Sequence, residues 1–148
     1  MNYARLAHLA LSSLALAACA VSSAEQDPAG ENDELMRMLS GRPAVEGAEL
    51  EARIAEASQH PLGSEQNPVR ASAASGQRAY LARLRCEDGA GAVFERLFNG
   101  GIGAFGNVVD IYGVECPGSA PETREIWLDM YHPGHVETRA VPGYTIVE

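Results

Sequence analysis

Residues 77–98, QRAYLARLRCEDGAGAVFERLF, decide the fold because the hydrophobic pattern changes there to a period of two. Every second residue from Tyr80 to Cys86 is apolar, which predicts a half-buried strand. Glu87–Gly91 has the composition of a turn. Ala92–Phe98 alternates again and predicts a second strand, so we expect the chain to become β-structure from this stretch onward.

The remainder of the second half continues the same pattern. Asn99–Gly106 is a glycine-rich connection, and residues 107–116 and 125–132 predict a third and a fourth strand. Pro133-Gly134 predicts a turn, after which the tail up to Ile146 adds an edge strand. The third strand contains a conflict, because an inward Cys116 also turns Asp110 inward; a bulge near Gly113 would remove it.

The first half predicts helices. One begins at Asn32-Asp33 and ends at Gly41, and a second begins near Pro43 and ends at about Gln59. Helices followed by consecutive strands are typical of the α+β class. We therefore expect one or two N-terminal helices packed on an antiparallel sheet of four to five strands.

The segment Pro61–Gly76 between the two halves is long and polar. Pro61-Leu62-Gly63 and Asn67-Pro68 have the chemistry of turns. Loops of this length without regular structure are uncommon and often functional. Two interpretations stay open: a functional loop, or an ordered loop that wraps the domain.

The N-terminus carries an apolar run that starts near Leu6 and closes at Leu16-Ala17-Ala18-Cys19. This quartet resembles the lipobox of bacterial lipoproteins, in which the cysteine is lipidated and becomes the new N-terminus. The run is too short to span a bilayer, which favours a secretory segment. The residue after Cys19 is Ala20, and by the same resemblance this implies sorting to the outer membrane. A rival cleavage site after Ala24 implies a soluble periplasmic or secreted protein instead.

Length and charge follow from this division of the chain. Of the 148 residues, 1–18 are predicted to be the signal peptide, 19–32 a flexible tether and 33–148 a single α+β domain. The formal charge is −9, and removal of residues 1–18 takes away only Arg5, which leaves −10. Such an acidic chain is repelled by nucleic acid, so we exclude DNA and RNA as partners. All 11 basic side chains are arginine, which excludes lysine-based chemistry.

The three cysteines have separate expected fates. Cys19 takes the lipid, and Cys86 and Cys116 remain in an oxidising compartment, which predicts one disulfide between them. The alternative is two buried free thiols. In a simple meander the strands that carry these cysteines are not neighbours, and a disulfide needs Cα atoms within about 7 Å. Either the strand order differs, or a cysteine lies past the end of its strand.

Two motifs suggest ligand chemistry. Gly101–Gly106 fits G-x-G-x-x-G, but a strand pattern rather than a helix follows it, so the nucleotide interpretation is rejected in favour of a glycine-permitted bend or bulge. His132 and His135 flank Pro133-Gly134, with Asp129 and Glu137 nearby, and are weak candidates for a zinc or nickel site. The alternative is two exposed turn histidines. We predict no catalytic residue and no cofactor.

The mature domain resembles small exported proteobacterial proteins of uncharacterised function over residues 63–70, 80–86 and 105–116. Leu84–Gly89 followed by an apolar strand is similar to periplasmic lysozyme inhibitors. We expect a lipid-anchored envelope protein that faces the periplasm and acts as a non-catalytic binding or structural module with an envelope protein partner. The alternative is an inhibitor of an envelope-directed hydrolase such as lysozyme, which inserts Asn99–Gly106 or Ser64–Gly76. A metal-assisted periplasmic enzyme is the third hypothesis.

Overall fold

A computed structural model describes residues 28–148, and these residues form an α+β fold, as predicted. The signal segment, Cys19 and most of the predicted tether lie outside the described residues. The helices are α1 (Pro28–Leu39), α2 (Gly47–Ala57) and α3 (Ala73–Ala82). The strands are β1 (Val69–Ser72), β2 (Leu84–Arg85), β3 (Val93–Ile102), β4 (Val108–Glu115), β5 (Thr123–Asp129), β6 (Tyr131–Val136) and β7 (Thr145–Ile146). Among the helices of residues 28–148, none is long and apolar enough to cross a membrane.

The main sheet has five strands in the order β3-β4-β5-β1-β6, and β2 pairs with β7 in a separate small sheet. Three of the four strand pairs in the main sheet are antiparallel, but β1 runs parallel to β5. The parallel pair arises because β1 comes from the segment expected to be a loop. Val69 and Ala71 are buried in it, so residues 61–76 supply an interior strand rather than an exposed loop.

The strand predicted from Tyr80 to Cys86 is wrong. Residues 73–82 form α3, and only Leu84–Arg85 pair as a strand. The buried side chains of α3 are Gln77, Tyr80 and Leu81. Their spacing of i, i+3 and i+4 matches one face of a helix, and this period prevails over the alternation by two.

Other boundaries also move. α1 begins at Pro28, so residues 28–32 of the predicted tether are helical. The turn expected at Pro133-Gly134 lies inside β6. β4 pairs with β5 without a register shift, so the bulge expected near Gly113 is absent from β4.

The disulfide between Cys86 and Cys116 is present, with its Cα atoms 5.7 Å apart. Each cysteine lies just past its strand, Cys86 after β2 and Cys116 after β4, which is how two distant strands can be joined. On the chain-entropy model, a bridge across this 30-residue separation stabilises the fold by about 3–4 kcal/mol.

The core lies on one side of the main sheet, which we call the covered face, against α3 and the C-terminal segment. Its principal members are Val69, Tyr80, Leu81, Leu84, Tyr112, Val114, Ile126, Leu128, Val141 and Tyr144. The Tyr80 hydroxyl donates to the carbonyl of Arg139 and accepts from the amide of Val141, both at 3.1 Å. This double hydrogen bond fixes the C-terminal segment to α3.

The end of β3 curls over the other side of the sheet. A Cβ on Gly100 would lie 2.7 Å from the Trp127 ring, and a Cβ on Gly103 would lie 2.4 Å from Val109 Cγ1. The pairing of β3 with β4 shifts between Asn99 and Ile102, which confirms the bend predicted from the glycine-rich motif. Glycine is required here because the backbone itself packs on the sheet.

We predict that Gly103→Ala lowers the free energy of unfolding by about 1–3 kcal/mol, because the new methyl group overlaps buried, β-branched Val109. Chemical denaturation measures the change. Gly91→Ala is the control, since its Cβ would meet only the Arg85 guanidinium, at 3.8 Å. Equal stabilities of the two variants would contradict the packing argument.

Candidate functional site

The uncurled part of β3 leaves apolar side chains exposed. Val93 is 57% exposed, Leu97 40% and Phe98 50%. Leu97 is the extra residue of a bulge, because Arg96 pairs with Tyr112 while Phe98 pairs with Ile111. The bulge places both Leu97 and Phe98 on the side of the sheet opposite the core.

Cross-strand pairing shows which residues share this side, because directly paired residues point to the same face. The three rows run from β3 across β4 to β5 and are Val93–Glu115–Thr123, Glu95–Gly113–Glu125 and Phe98–Ile111–Trp127. Leu97 lies over Gly113, with its Cδ2 atom 3.4 Å from the place of a Cβ there. We call this surface the open face and define it by Val93, Glu95, Leu97, Phe98, Glu115, Glu125 and Trp127.

The open face combines apolar and anionic groups. Glu95, Glu115 and Glu125 are all exposed, and no basic side chain of the described residues lies within ion-pair distance of them. The two arginines of β3–β5 point to the covered face, because Arg96 pairs with Tyr112 and Arg124 pairs with Val114. The surface therefore combines exposed apolar side chains with uncompensated negative charge.

Arg96 is held on the covered face by Asp110. Its Nη2 and Nε atoms donate to Asp110 Oδ1 at 2.6 and 2.9 Å. The hydrogen bonds to Asp110 raise the pKa of Arg96, so its guanidinium stays charged. The predicted inward orientation of Asp110 is thus satisfied by an arginine and needs no bulge in β4.

A buried polar cluster lies at the far end of the sheet, on the side of Val109 and Ile111. The Asp129 carboxylate is fully buried and accepts from Asn107 Nδ2 at 3.0 Å and from the Tyr131 amide at 2.9 Å. Asn107 Oδ1 accepts from the Ala44 amide at 2.7 Å and from Arg37 Nη1 at 3.2 Å. These bonds attach α1 and the α1–α2 connection to the sheet.

The two candidate metal ligands are close but face different carboxylates. His132 is buried, with its ring edge-on to Phe105 and its Nε2 atom 3.3 Å from Asp129 Oδ2. His135 Nε2 lies 3.8 Å from Glu137 Oε2, and the two imidazole centres are 6.4 Å apart. Within residues 28–148, no three His, Cys, Asp or Glu side chains are grouped to hold a metal ion. The alternative of two exposed turn histidines is wrong for His132.

His135 and Glu137 are electrostatically perturbed. Burial lowers the pKa of His135, and the positive charge of Arg70 lowers it further. Burial raises the pKa of Glu137, but hydrogen bonds from Arg139 outweigh it and leave that pKa below its usual range. Glu137 Oε1 accepts from Arg139 Nε at 3.0 Å and from the Arg139 amide at 3.1 Å, which explains the balance.

A separate cleft of about 390 Å³ opens between α2, the segment after it and the tip of the β3–β4 hairpin. Its polar lining includes Arg53, His60 and Glu65. Arg53 is engaged by Glu49 at 2.8 Å, one turn away on α2. The cleft is shallow and polar, and it brings together no set of groups with a defined chemical role.

The sequence analysis missed the open face and the anchoring role of Asn107. The signal for the open face was visible, since Val93, Leu97 and Phe98 belong to a strand that also carries Glu95 and Arg96. Without knowledge of the bulge at Leu97, the sequence does not show which side of that strand is buried. Asn107 gave no signal, because its partners lie far away in the sequence.

Comparison of the chain with protein-family models, with curated proteins and with solved structures finds no match.

We predict that His135→Asn flattens the dependence of stability on pH between pH 7 and pH 5. The pKa of His135 is lowered from its ordinary value of 6.5 in the folded state, so the unfolded chain takes up the proton first as the pH falls. The contribution of His135 to the free energy of unfolding is therefore fully present above about pH 6.5. It is lost as the pH falls toward the pKa of His135 in the folded state. Urea titrations across this range measure the slope.

The control is His60→Asn, which alters an exposed imidazole after α2. Glu137 does not titrate within this window, because hydrogen bonds from Arg139 hold its pKa below the ordinary value of 4.5 for a glutamate. A slope in His135→Asn that equals that of the unmodified chain would disprove the role of His135.

Proposed function

We propose that this protein is a lipid-anchored, non-catalytic binding module of the bacterial cell envelope, and that the open face is its contact surface. The observation that carries the proposal is that Val93, Leu97 and Phe98, three large apolar side chains of one strand, are exposed on the same face of the sheet, with Leu97 and Phe98 adjacent. Contiguous exposed apolar residues rimmed by polar groups are typical of interaction sites. Single exposed apolar residues would carry no such implication.

The composition of the open face favours a protein partner. Phe98 and half-buried Trp127 lie in one row with buried Ile111 between them, which places two aromatic side chains on this face. Aromatic side chains contribute most strongly at the centres of protein interfaces, and charged residues there are confined to the rim. Here Glu115 lies beside Val93, and Glu95 and Glu125 lie in the row between Val93 and Phe98.

The geometry favours a catalytic function less than a binding function. The carboxylate–imidazole pair of Asp129 and His132 is the arrangement nearest to acid–base chemistry in the described part of the chain. Both side chains are buried, and Asn107 and Phe105 pack against them. A general base has to reach its substrate within hydrogen-bonding distance, and this pair is directed into the protein.

One of the two loops that the inhibitor hypothesis requires is not an exposed loop. Ser64–Gly76 contributes β1 and the start of α3, so it does not protrude. In Asn99–Gly106, Gly100 and Gly103 pack onto the sheet, and Ile102 is the large apolar residue that is exposed. We therefore place the binding module first.

The lipid anchor is a proposal from the sequence, supported by Leu16-Ala17-Ala18-Cys19 and by the disulfide, which suits an oxidising compartment. With Ala20 after the cysteine, we propose the outer membrane, facing the periplasm. The acidic chain would be held near anionic headgroups only by its acyl groups.

We predict that the membrane-extracted protein has an intact mass that starts at Cys19 and includes acyl groups, and that it gains two hydrogens on reduction of the Cys86–Cys116 bond. Mass spectrometry with and without reductant measures both. A mass that starts at Glu25 without lipid would overturn the anchor and leave a soluble periplasmic or secreted protein.

We predict that a photoreactive amino acid in place of Phe98 cross-links, in cells, to a distinct envelope protein. The matched control carries the same group in place of Val136, which is 67% exposed on the opposite edge of the sheet. Adding Leu97→Glu to the Phe98 probe should reduce the adduct, because a charge replaces an apolar side chain beside Phe98. The same adducts at both positions, or none at Phe98, would refute the contact surface.

A further inference from the structure

We propose that the partner adds an extended segment as a sixth strand along the outer edge of β3, and that this segment carries arginine or lysine among apolar residues. This inference rests on the proposed function and specifies the partner of the same surface. Strand addition uses the backbone groups of an exposed edge for affinity and the alternating side chains for specificity.

The two edges of the main sheet differ in how they are protected. β6 is short and contains Pro133, which cannot donate to a further strand. β3 has ten residues without proline, and its outer side pairs with no strand of the described residues. Natural sheets usually protect a long edge with charges, proline or a covering element. Apolar Val93 and Phe94 leave the beginning of β3 open to pairing.

The bulge limits the length of the added strand. Val93–Arg96 pair in regular register with β4, and the register shifts at Leu97. A partner strand can therefore follow β3 without interruption for about four residues, since bulges end or bend regular pairing. Beyond that point its side chains meet Leu97 and Phe98 on the open face.

The charge of the partner follows from the side chains around this edge. On the open face, Glu95 is the outermost carboxylate, with Glu125 in the same row two strands away. Arg96 cannot neutralise them, because it binds Asp110 on the covered face. Opposite charges directly across a strand pair are favourable and like charges are not. A cationic side chain facing Glu95 is therefore favoured, with apolar side chains beside Phe94.

A second copy of this chain fits the same edge less well. Two copies paired antiparallel through a two-fold axis form one continuous sheet in which each face stays on its own side. The carboxylates of both open faces would then line the same surface on either side of the junction. The chain also has a formal charge of −9, so two copies repel each other.

The test uses the processed full-length protein in detergent and a six-residue capped peptide of alternating arginine and valine. Backbone amide shifts in nuclear magnetic resonance spectra report the binding site and the Kd. We expect shifts centred on Val93–Arg96, and weaker binding of the matched glutamate–valine peptide. We also expect loss of binding when the amides along one edge of the arginine peptide are N-methylated, because these donors form the ladder.

The matched variants are Glu95→Arg and Glu51→Arg, which change the total charge equally. Glu51 is exposed on α2. Glu95→Arg should weaken peptide binding about three- to tenfold relative to Glu51→Arg, because a favourable cross-strand pair becomes a repulsive one. Circular dichroism checks that both variants are folded.

The outcomes separate the two proposals. Equal binding of the N-methylated peptide, or equal affinity of the two variants, would overturn strand addition, while a cross-link at Phe98 would still support the open face. A dimer that forms through β3 and is dissociated by the peptide would overturn the basic partner in favour of a second copy. Edge binding without a specific cross-link at Phe98 would support the inference about β3 and overturn the proposed function.

Discussion

The close approach of β3 to the sheet is the constraint on which the rest of the structure depends. β4 is buried on both faces, with Tyr112 and Val114 on the covered face and Val109 and Ile111 on the other. Helix α3 and the C-terminal segment cover the first set, and the curled end of β3 covers the second. Only glycine at positions 100 and 103 lets the backbone come this close, so the strand serves as its own second layer. The curl ends where the open face begins.

The buried carboxylate of Asp129 secures the other end of this layer. A buried charge is costly unless hydrogen bonds compensate for it, and Asn107 supplies one from the turn after the curl. The side-chain oxygen of Asn107 also accepts hydrogen bonds from the Ala44 amide and the Arg37 guanidinium. One side chain thus fixes both the hairpin tip and the N-terminal helices against the sheet. We infer that the curl, the helices and the open face keep a fixed relation to one another.

Much of the architecture could be predicted from the sequence, namely the α+β class, β4, the strand beginning near residue 92 and the disulfide. A strand was wrongly predicted from Tyr80 to Cys86 because Tyr80 and Leu84 fit both a period of two and a helical spacing over so short a segment. β1 was missed because only Val69 and Ala71 of its four residues are buried, and polar turn residues precede it. The apolar residues of the open face are visible in the sequence, but their common side could not be predicted because it depends on the bulge at Leu97.

The distribution of charge explains how an apolar edge can remain exposed. Arg37, Arg53, Arg96 and Arg139 form ion pairs with acidic groups of their own chain. The carboxylates of Glu95, Glu115 and Glu125 are left unpaired among the described residues, and they lie beside apolar side chains of β3 that would otherwise favour aggregation. Since like charges repel at close range, these carboxylates oppose contact between identical copies and attract a cationic segment. The charges that protect the edge from self-association are therefore the same feature that selects its partner.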